Sequence, residues 1–547
     1  VPVINPYVAV RLDFVLTAPV PTRKLSIVRT FVSRDDARVG IAVLILAATM
    51  TAAVVATGAV RDLNSDDLVW QRLLHIWGST GHAQGWISED VFPTRFGLYA
   101  ALDGVGLNGR SGVVAASIIL NLVGAASFLV ALIFSGSLTK PRRWGVVVGA
   151  GLLASWSTIA WADVFFSPNT RPLEIGLALL AVAWLGVRTA NTRRKGPQVL
   201  TAAVLAVLWF SDPLVFLIIA IPAALVTVID ARRVEKRRRA VTVLGVLALS
   251  AVGAAALRGI AALFDLSTES VARGGYFLTP ITDLPQRAVT VFERSAALLG
   301  VAGSDLTSGG VVDLLIAWLR LGVVGLAAIG VVVIARSWSD TSLLARTLVV
   351  ALAVTPLAVV FINIYPNPEF VIDRYLVMVL VAISGLAIIA LSQISSRRSA
   401  VAAAAIAVLV GAVFITNINT WRDNRHIVRD ANAIALGDAV KFQNWDRIYA
   451  GYWMAVRQAE LASGDSQWAS VVCDRSGPLE LMDWNNDSSL LRPRVKSIAV
   501  SVERQYCDFV DIVRRYGPPT ERVTLEGHDF VVYRGAAVVP ALRDLRP

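Results

Sequence analysis

The segment Val39–Val60, VGIAVLILAATMTAAVVATGAV, runs directly into Arg61–Leu68, RDLNSDDL. The first part is 22 residues without a charge. At about 1.5 Å of rise per residue a helix of that length covers about 33 Å, close to the hydrocarbon thickness of a bilayer. Asp66 and Asp67 follow within a few residues, so the first acidic pair after this run falls where oil meets water. A carboxylate can stay ionised there and take part in proton chemistry.

The rest of the chain has the same solvent. Of 547 residues 55% are hydrophobic and only 17% charged, with a mean hydropathy of +0.62. These values lie outside the range of ordinary soluble domains and specify an integral membrane protein. The net charge of +11 does not point to nucleic acid, because the basic residues form short clusters between apolar runs and no basic face with interleaved aromatics exists. The N-terminal 40 residues carry Arg11, Arg23, Lys24, Arg29, Arg34 and Arg38 without a cleavable signal pattern, and read as a cytoplasmic tail.

Apolar stretches at about 41–60, 113–135, 144–162, 172–187, 197–211, 213–229, 240–264, 311–335, 347–364, 375–392 and 399–416 predict about eleven transmembrane helices. Basic clusters recur at every second connection: Lys140 to Arg143, Arg188 to Lys195, Arg232 to Arg239, Arg336 with Arg346, and Arg397 with Arg398. Positive charge is retained on the cytoplasmic side, which places the N-terminus inside the cell and the alternate loops outside. The reading turns on residues 198–230, short for two crossings but flanked by basic residues at both ends and interrupted by Ser211-Asp212-Pro213. It predicts a hairpin with Asp212 in its turn.

The expected organisation is a cytoplasmic tail over 1–40, an all-α polytopic membrane domain over 41–416 with outer loops 61–112 and 265–310, and an extracytoplasmic domain over 417–547. In the first loop Leu68–Trp77 has a helical pattern suited to lying along the membrane surface, with Trp70, Trp77 and Trp86 at headgroup level. The tail changes to mixed polar sequence with strand-like runs at Ser497–Val502 and His528–Val532 and a turn at Tyr516-Gly517-Pro518-Pro519, and predicts a small α/β domain. Outside the cell Cys473 and Cys507 could pair across about 34 residues, nominally for about 3–4 kcal/mol in the chain-entropy model. Two reduced buried thiols are the alternative.

This layout resembles the GT-C superfamily of membrane glycosyltransferases, whose donors are polyprenyl-phosphate sugars. Ser65-Asp66-Asp67-Leu68 occupies the place of that family's first-loop catalytic carboxylate, and Asp373-Arg374-Tyr375 matches an Arg-Tyr pair opening a late span. Gly451-Tyr452-Trp453 with Tyr516-Gly517-Pro518 is similar to the C-terminal domain of some actinobacterial members, and the Ala- and Val-rich composition agrees. The resemblance implies transfer of a sugar, a hexose or pentose, from a polyprenyl-phosphate donor to a cell-envelope glycan or glycolipid in cell-wall biogenesis, in the plasma membrane and at its outer face.

The chemistry can be argued from the residues as well. Attack of an acceptor hydroxyl on an anomeric carbon needs one base, for which Asp66 or Asp67 is the candidate; otherwise the pair caps a helix beginning at Leu68. The departing phosphate gains negative charge and calls for planar, multidentate cations. Arg374, Arg171 and Arg273 are the candidates, with Tyr375 beside the first. Without such a role Arg374 anchors a span end and pairs with Asp373. Glu174, Asp163 and His75 are candidates for a second acid or acceptor contact, although Arg171 and Glu174, three apart, could simply pair along one helix face. No metal is required by any spacing; Asp66, Asp67 and Glu174 offer the hard oxygens that Mg²⁺ or Mn²⁺ prefer. A lipid or glycan transporter is the alternative function, and it would place its charges near the bilayer midplane.

Overall fold

The computed structural model describes residues 36–63, 65–80, 94–137, 149–153, 156, 172–191, 196–263, 277–307, 310–363, 373–393, 396–461, 468–473, 479–481, 495–503, 508–535 and 538. Seven of the described helices are long and apolar enough to cross a membrane, and three shorter apolar helices, Leu44–Val60, Gly196–Ser211 and Val377–Gln393, join them. The expected span over 144–162 lies mostly outside the described residues.

In chain order the helices are α1 (Asp36–Val60), α2 (Ser65–Thr80), α3 (Thr94–Gly104), α4 (Gly109–Phe134), α5 (Pro172–Asn191), α6 (Gly196–Ser211) and α7 (Pro213–Ala231). There follow α8 (Val234–Leu263), α9 (Leu284–Leu298), α10 (Val311–Arg336), α11 (Leu343–Phe361), α12 (Val377–Gln393) and α13 (Ser396–Asn424). Two sets of contacts define the ends of this bundle. On one face Arg110, at the start of α4, donates to the carbonyls of Gly58 and Arg61 just past α1, while Arg429, beyond α13, donates to Ala59 O. On the other, Ser137 meets Ser342, Arg346 pairs with Asp230, and Arg239 donates to Gly186 O. The basic connections described belong to this second face.

The 196–231 stretch is a hairpin. Arg239, following α7, reaches Gly186 and Thr189 at the end of α5, so the chain leaves and re-enters at one face. Its turn is built by Asp212, whose carboxylate accepts the Leu214 N–H at 2.9 Å, and by Pro213 in the first helical position, where its missing N–H costs nothing. A single π turn, Phe216–Ala220, interrupts α7.

Within lipid the spans gain little from hydrophobic contact with one another, so their association depends on close packing. Helices α4 and α5 cross where Gly124 faces Pro172 and Gly176 faces Gly124. A Cβ on Gly176 would stand 2.1 Å from Gly124 O. The same device recurs where Gly330 of α10 meets Leu386 O of α12. Trp156 is buried in the bundle, with Nε1 donating to Ser384 Oγ at 2.9 Å.

The loop between α8 and α10 is more ordered than its sequence suggests. Strand β1 (Phe277–Leu278) pairs antiparallel with β2 (Ile362–Asn363) at the end of α11. Helix α9 is locked to the same place by Arg287, buried, which donates from Nε to Val359 O at 3.2 Å.

The C-terminal domain contains α14 (Ala431–Lys441), β3 (Arg447–Ala450), α15 (Tyr452–Leu461), β4 (Trp468–Cys473), β5 (Leu479–Leu481), β6 (Ser497–Ser501), α16 (Phe509–Tyr516), β7 (Glu521–Leu525) and β8 (His528–Arg534). Its sheet has the order β5-β4-β3-β6-β8-β7, parallel across β4-β3-β6 and antiparallel elsewhere. Both faces are covered. Tyr449, Ile498, Val500, Val531 and Tyr533 pack towards α16, whereas Ile448, Ala450, Ala499, Phe530 and Val532 pack with α14 and α15. That accounts for strands reading as nearly continuous apolar runs. Trp468 belongs to this core, whereas Trp453 is exposed beside Tyr452. Cys473 ends β4, but its side chain and Cys507 lie outside the described residues, and so does the expected disulfide.

The two-glycine crossing can be tested directly. Gly176→Leu is expected to cost about 3 kcal/mol or more, since backbone and not a flexible side chain blocks the new atoms. Gly245→Ala, whose Cβ would meet nothing within 4 Å, should be close to neutral. Denaturant titration of the purified chain in detergent measures both, and a Gly176→Leu variant of unchanged stability would contradict the crossing.

Candidate active site

The acidic pair sits on α2, which begins at Ser65. The helix therefore starts three residues before the position expected from Leu68, and Asp66 and Asp67 form part of its first turn instead of capping it from outside. Negative charge is favoured there by the helix dipole. Asp67 is fully buried, with Oδ2 at 3.3 Å from Arg61 Nη2. The side chain of Asp66 lies outside the described residues.

Helix α2 is not spread on lipid. Trp70, 1% exposed, packs with Val69, Leu73, Tyr99, Leu102 and Leu120, so its expected place at headgroup level is corrected: the helix turns this apolar face onto α3 and α4. The Trp77 side chain and Trp86 are outside the described residues. On another side Leu68 joins Val54, Leu63, Val113, Tyr452 and Val456, bringing α2 against α15 of the C-terminal domain. The acid helix is thus a wedge between the span bundle and that domain.

Asp430 ties the wedge in place. Its Oδ1 accepts the Leu63 N–H at 2.9 Å and Arg457 Nη2 at 3.2 Å, and its Oδ2 accepts Arg110 Nη2 at 2.6 Å. Its own N–H donates to Asp62 Oδ1 at 2.8 Å. The residue holds a left-handed backbone with φ of 60°, which aspartate tolerates better than most side chains. One buried carboxylate so joins the ends of α1 and α13, the start of α4 and helix α15.

Glu174, in the first turn of α5, is buried and accepts Thr94 Oγ1 at 2.7 Å and Arg95 Nη2 at 3.0 Å. Its ion pair is with Arg95, 79 positions away in sequence. Both ends are fully buried, so the pair fastens α3 to the bundle. One helical turn along α3, Tyr99 is buried too, and its pKa is held far above the ordinary tyrosine value, first by burial and then by the charge of Asp67, with Arg95 opposing. Tyr99 therefore presents a protonated hydroxyl in the vicinity of Asp67. A narrow crevice beside it, with no room for a water molecule, is lined by Gln71, Leu74, His75, Tyr99, Asp103, Leu107 and Asn108.

His75, half exposed, turns towards the C-terminal domain, with Nδ1 at 2.8 Å from Glu460 Oε2, while Arg72 Nη1 lies 3.9 Å from Glu460 Oε1. Contact with the Glu460 carboxylate raises the imidazole pKa, and the charges of Glu460 and Asp103 add to this; partial burial and Arg72 oppose it.

Arg374 and Tyr375 fall in the one-turn 3-10 helix Asp373–Leu376 that opens α12. Tyr375 packs partly buried against the bundle core. The Arg374 side chain, Arg171, Asp163 and Arg273 lie outside the described residues. The metal expectation meets a different arrangement in the carboxylates described: Asp67 faces Arg61, and Glu174 is engaged by Arg95 and Thr94. Among the described residues no three His, Cys, Asp or Glu side chains converge.

Two features escape a reading by sequence stretches. Arg95 follows Pro93-Thr94, a helix-start signal whose distant partner nothing local reveals. Arg320 interrupts the apolar run of α10, which is a signal in itself. It is buried with its guanidinium 5.3 Å from the Trp156 ring centroid, beside Gly300, where an added Cβ would stand 2.5 Å from Nη1.

The His75 contact makes docking of α2 sensitive to pH. A pKa raised in the folded state contributes stability that is complete below the unfolded value near 6.5 and is lost as pH rises through the folded value. The difference in thermal midpoint between wild type and His75→Ala is expected to be largest at low pH and to shrink as pH rises. A difference unchanged between about pH 5 and pH 9 would contradict this linkage.

No protein-family model and no curated protein matches the chain. Among solved structures it is similar to ArnT from Cupriavidus metallidurans, determined with undecaprenyl phosphate bound, at 11% identity and a TM-score of 0.49. The alignment covers 92% of this chain and 99% of that one. A likeness of that degree bears on neither activity nor substrate.

Proposed function

We propose that the chain is a membrane glycosyltransferase that moves a sugar from a polyprenyl-phosphate donor to an envelope glycan or glycolipid, at the face of the plasma membrane carrying the C-terminal domain. That face is extracytoplasmic in this reading, because the described basic connections gather at the other. The observation that carries the proposal is the placement of Asp67: buried at the end of the first span, on a helix wedged under the C-terminal domain, with the Tyr99 hydroxyl nearby.

The chemistry follows from what each group can do there. Asp66 or Asp67 accepts the proton of the acceptor hydroxyl as its oxygen attacks the anomeric carbon, with inversion. Glu174 acts as a positioning residue, holding Arg95 and with it the helix that carries Tyr99. Arg374, with Tyr375 at the mouth of α12, and Arg171 and Arg273 are the groups proposed to meet the charge that grows on the leaving phosphate. A lipid-borne donor is required by location, since nucleotide sugars are confined to the cytoplasm.

Transport draws support from Arg320, a cation well inside a span. Its guanidinium, however, lies against Trp156 and the Gly300 turn that ends α9, which is the setting of a positioning contact.

Purified protein reconstituted with a panel of polyprenyl-phosphate sugars tests the proposal. Wild type is expected to transfer from at least one donor, and Asp66→Asn or Asp67→Asn to lower kcat by about 10²-fold or more. Full activity in both variants would remove the pair from the mechanism, and transfer from nucleotide sugars alone would remove the lipid donor.

A further inference from the structure

Helices α1 and α13 lie side by side and leave between them an open groove of about 490 Å³, lined by Leu44, Ala47, Ala48, Thr51, Ala52 and Val55 of α1 and by Phe414, Ile418 and Trp421 of α13. Small side chains on α1 make the groove; large ones on α13 make its wall. From Leu44 to Val55 it extends about 16 Å along the helix, roughly half the hydrocarbon thickness. Its end at Val55 lies five residues before the end of α1 on the side of the C-terminal domain.

The end of the groove nearest the C-terminal domain is built differently. Phe414, Ile418, Trp421 and Arg425 follow one stripe at intervals of four, three and four residues. Arg425 continues that stripe past the end of α13, its N–H bonded to Trp421 O at 2.8 Å and its guanidinium 5.1 Å from the Trp421 ring centroid. Arg429 closes the top by donating to Ala59 O. Arg425 is exposed at the mouth, Arg422 in the last turn of α13 pairs with Asp423 at 3.0 Å, and the exposed Ile427 and Val428 follow. Cation, aromatic ring and exposed aliphatics together suit the boundary between headgroup and hydrocarbon.

We propose that this seam holds one phosphate-bearing lipid of the leaflet adjoining the C-terminal domain, with a hydrocarbon chain in the groove and the phosphate at Arg425 and Arg422. The groove opens on the side of α1 turned away from the bundle core. Leu46 and Met50, which pack into the bundle core, lie roughly a third of a turn or more around α1 from the groove stripe. The inference does not rest on the transfer chemistry, and a chain with no transferase activity would still bind.

Native mass spectrometry of the full chain, released from membranes containing equal amounts of phosphatidylglycerol and phosphatidylcholine, tests it. Wild type is expected to retain one phosphatidylglycerol per chain in preference to phosphatidylcholine. Arg425→Gln, an exposed change that spares the fold, should weaken that preference about fivefold, as one interfacial charge is worth about 1 kcal/mol. Ala48→Phe, which fills the groove, should abolish retention. Equal retention of the two lipids by wild type, or an unchanged preference in Arg425→Gln, would overturn the proposal. Retention of added polyprenyl phosphate in place of phosphatidylglycerol, lost in Ala48→Phe, would overturn the assigned occupant.

Discussion

Asp430 is the constraint on which the arrangement depends. Its buried carboxylate receives the Leu63 amide and the guanidinium groups of Arg110 and Arg457. Those donors belong to the link between α1 and α2, to α4 and to α15. Removing the Asp430 charge leaves two partly buried cations without their anion, which costs more than the pair itself contributes. The C-terminal domain is consequently fixed to the membrane bundle at the point where the first acidic loop begins, and α2 has no freedom to lie elsewhere.

From that junction the polar interior extends in one direction. Asp67 pairs with Arg61, Tyr99 is buried close to it, and the Arg95–Glu174 ion pair anchors the helix bearing Tyr99. Desolvated charges are tolerated because each has an opposite charge or a hydrogen bond at hand. Such a cluster at the end of a span is expensive for stability alone, and the proposed proton transfer would account for its position.

Much of the fold was legible in the sequence because lipid imposes a simple rule: a spanning segment must be apolar and helical. The hairpin at Ser211-Asp212-Pro213 could be read for the same reason, since its turn chemistry and its basic flanks agree. The mixed sheet announced itself at Ser497 and His528. What remained hidden were contacts made over long sequence distances. Nothing near Glu174 indicates Arg95, and nothing near Leu63 indicates Asp430. Trp70 looks like an interfacial anchor until α3 and α4 are seen to cover it, and the segment over 284–298 reads as loop although its buried Arg287 fastens an amphipathic helix to the end of α11. The order of acids along the chain was visible, but the burial of Asp67 and its pairing with Arg61 depend on a three-dimensional neighbourhood.

The account requires the acidic loop to face away from the cytoplasm, and sidedness is the measurement that tests it most directly. Gly104 ends α3, and a Cβ there would meet nothing within 4 Å. Gly104→Cys in intact cells should react with a membrane-impermeant maleimide well above the wild-type background. Reaction that appears only after the membrane is permeabilised would contradict the account.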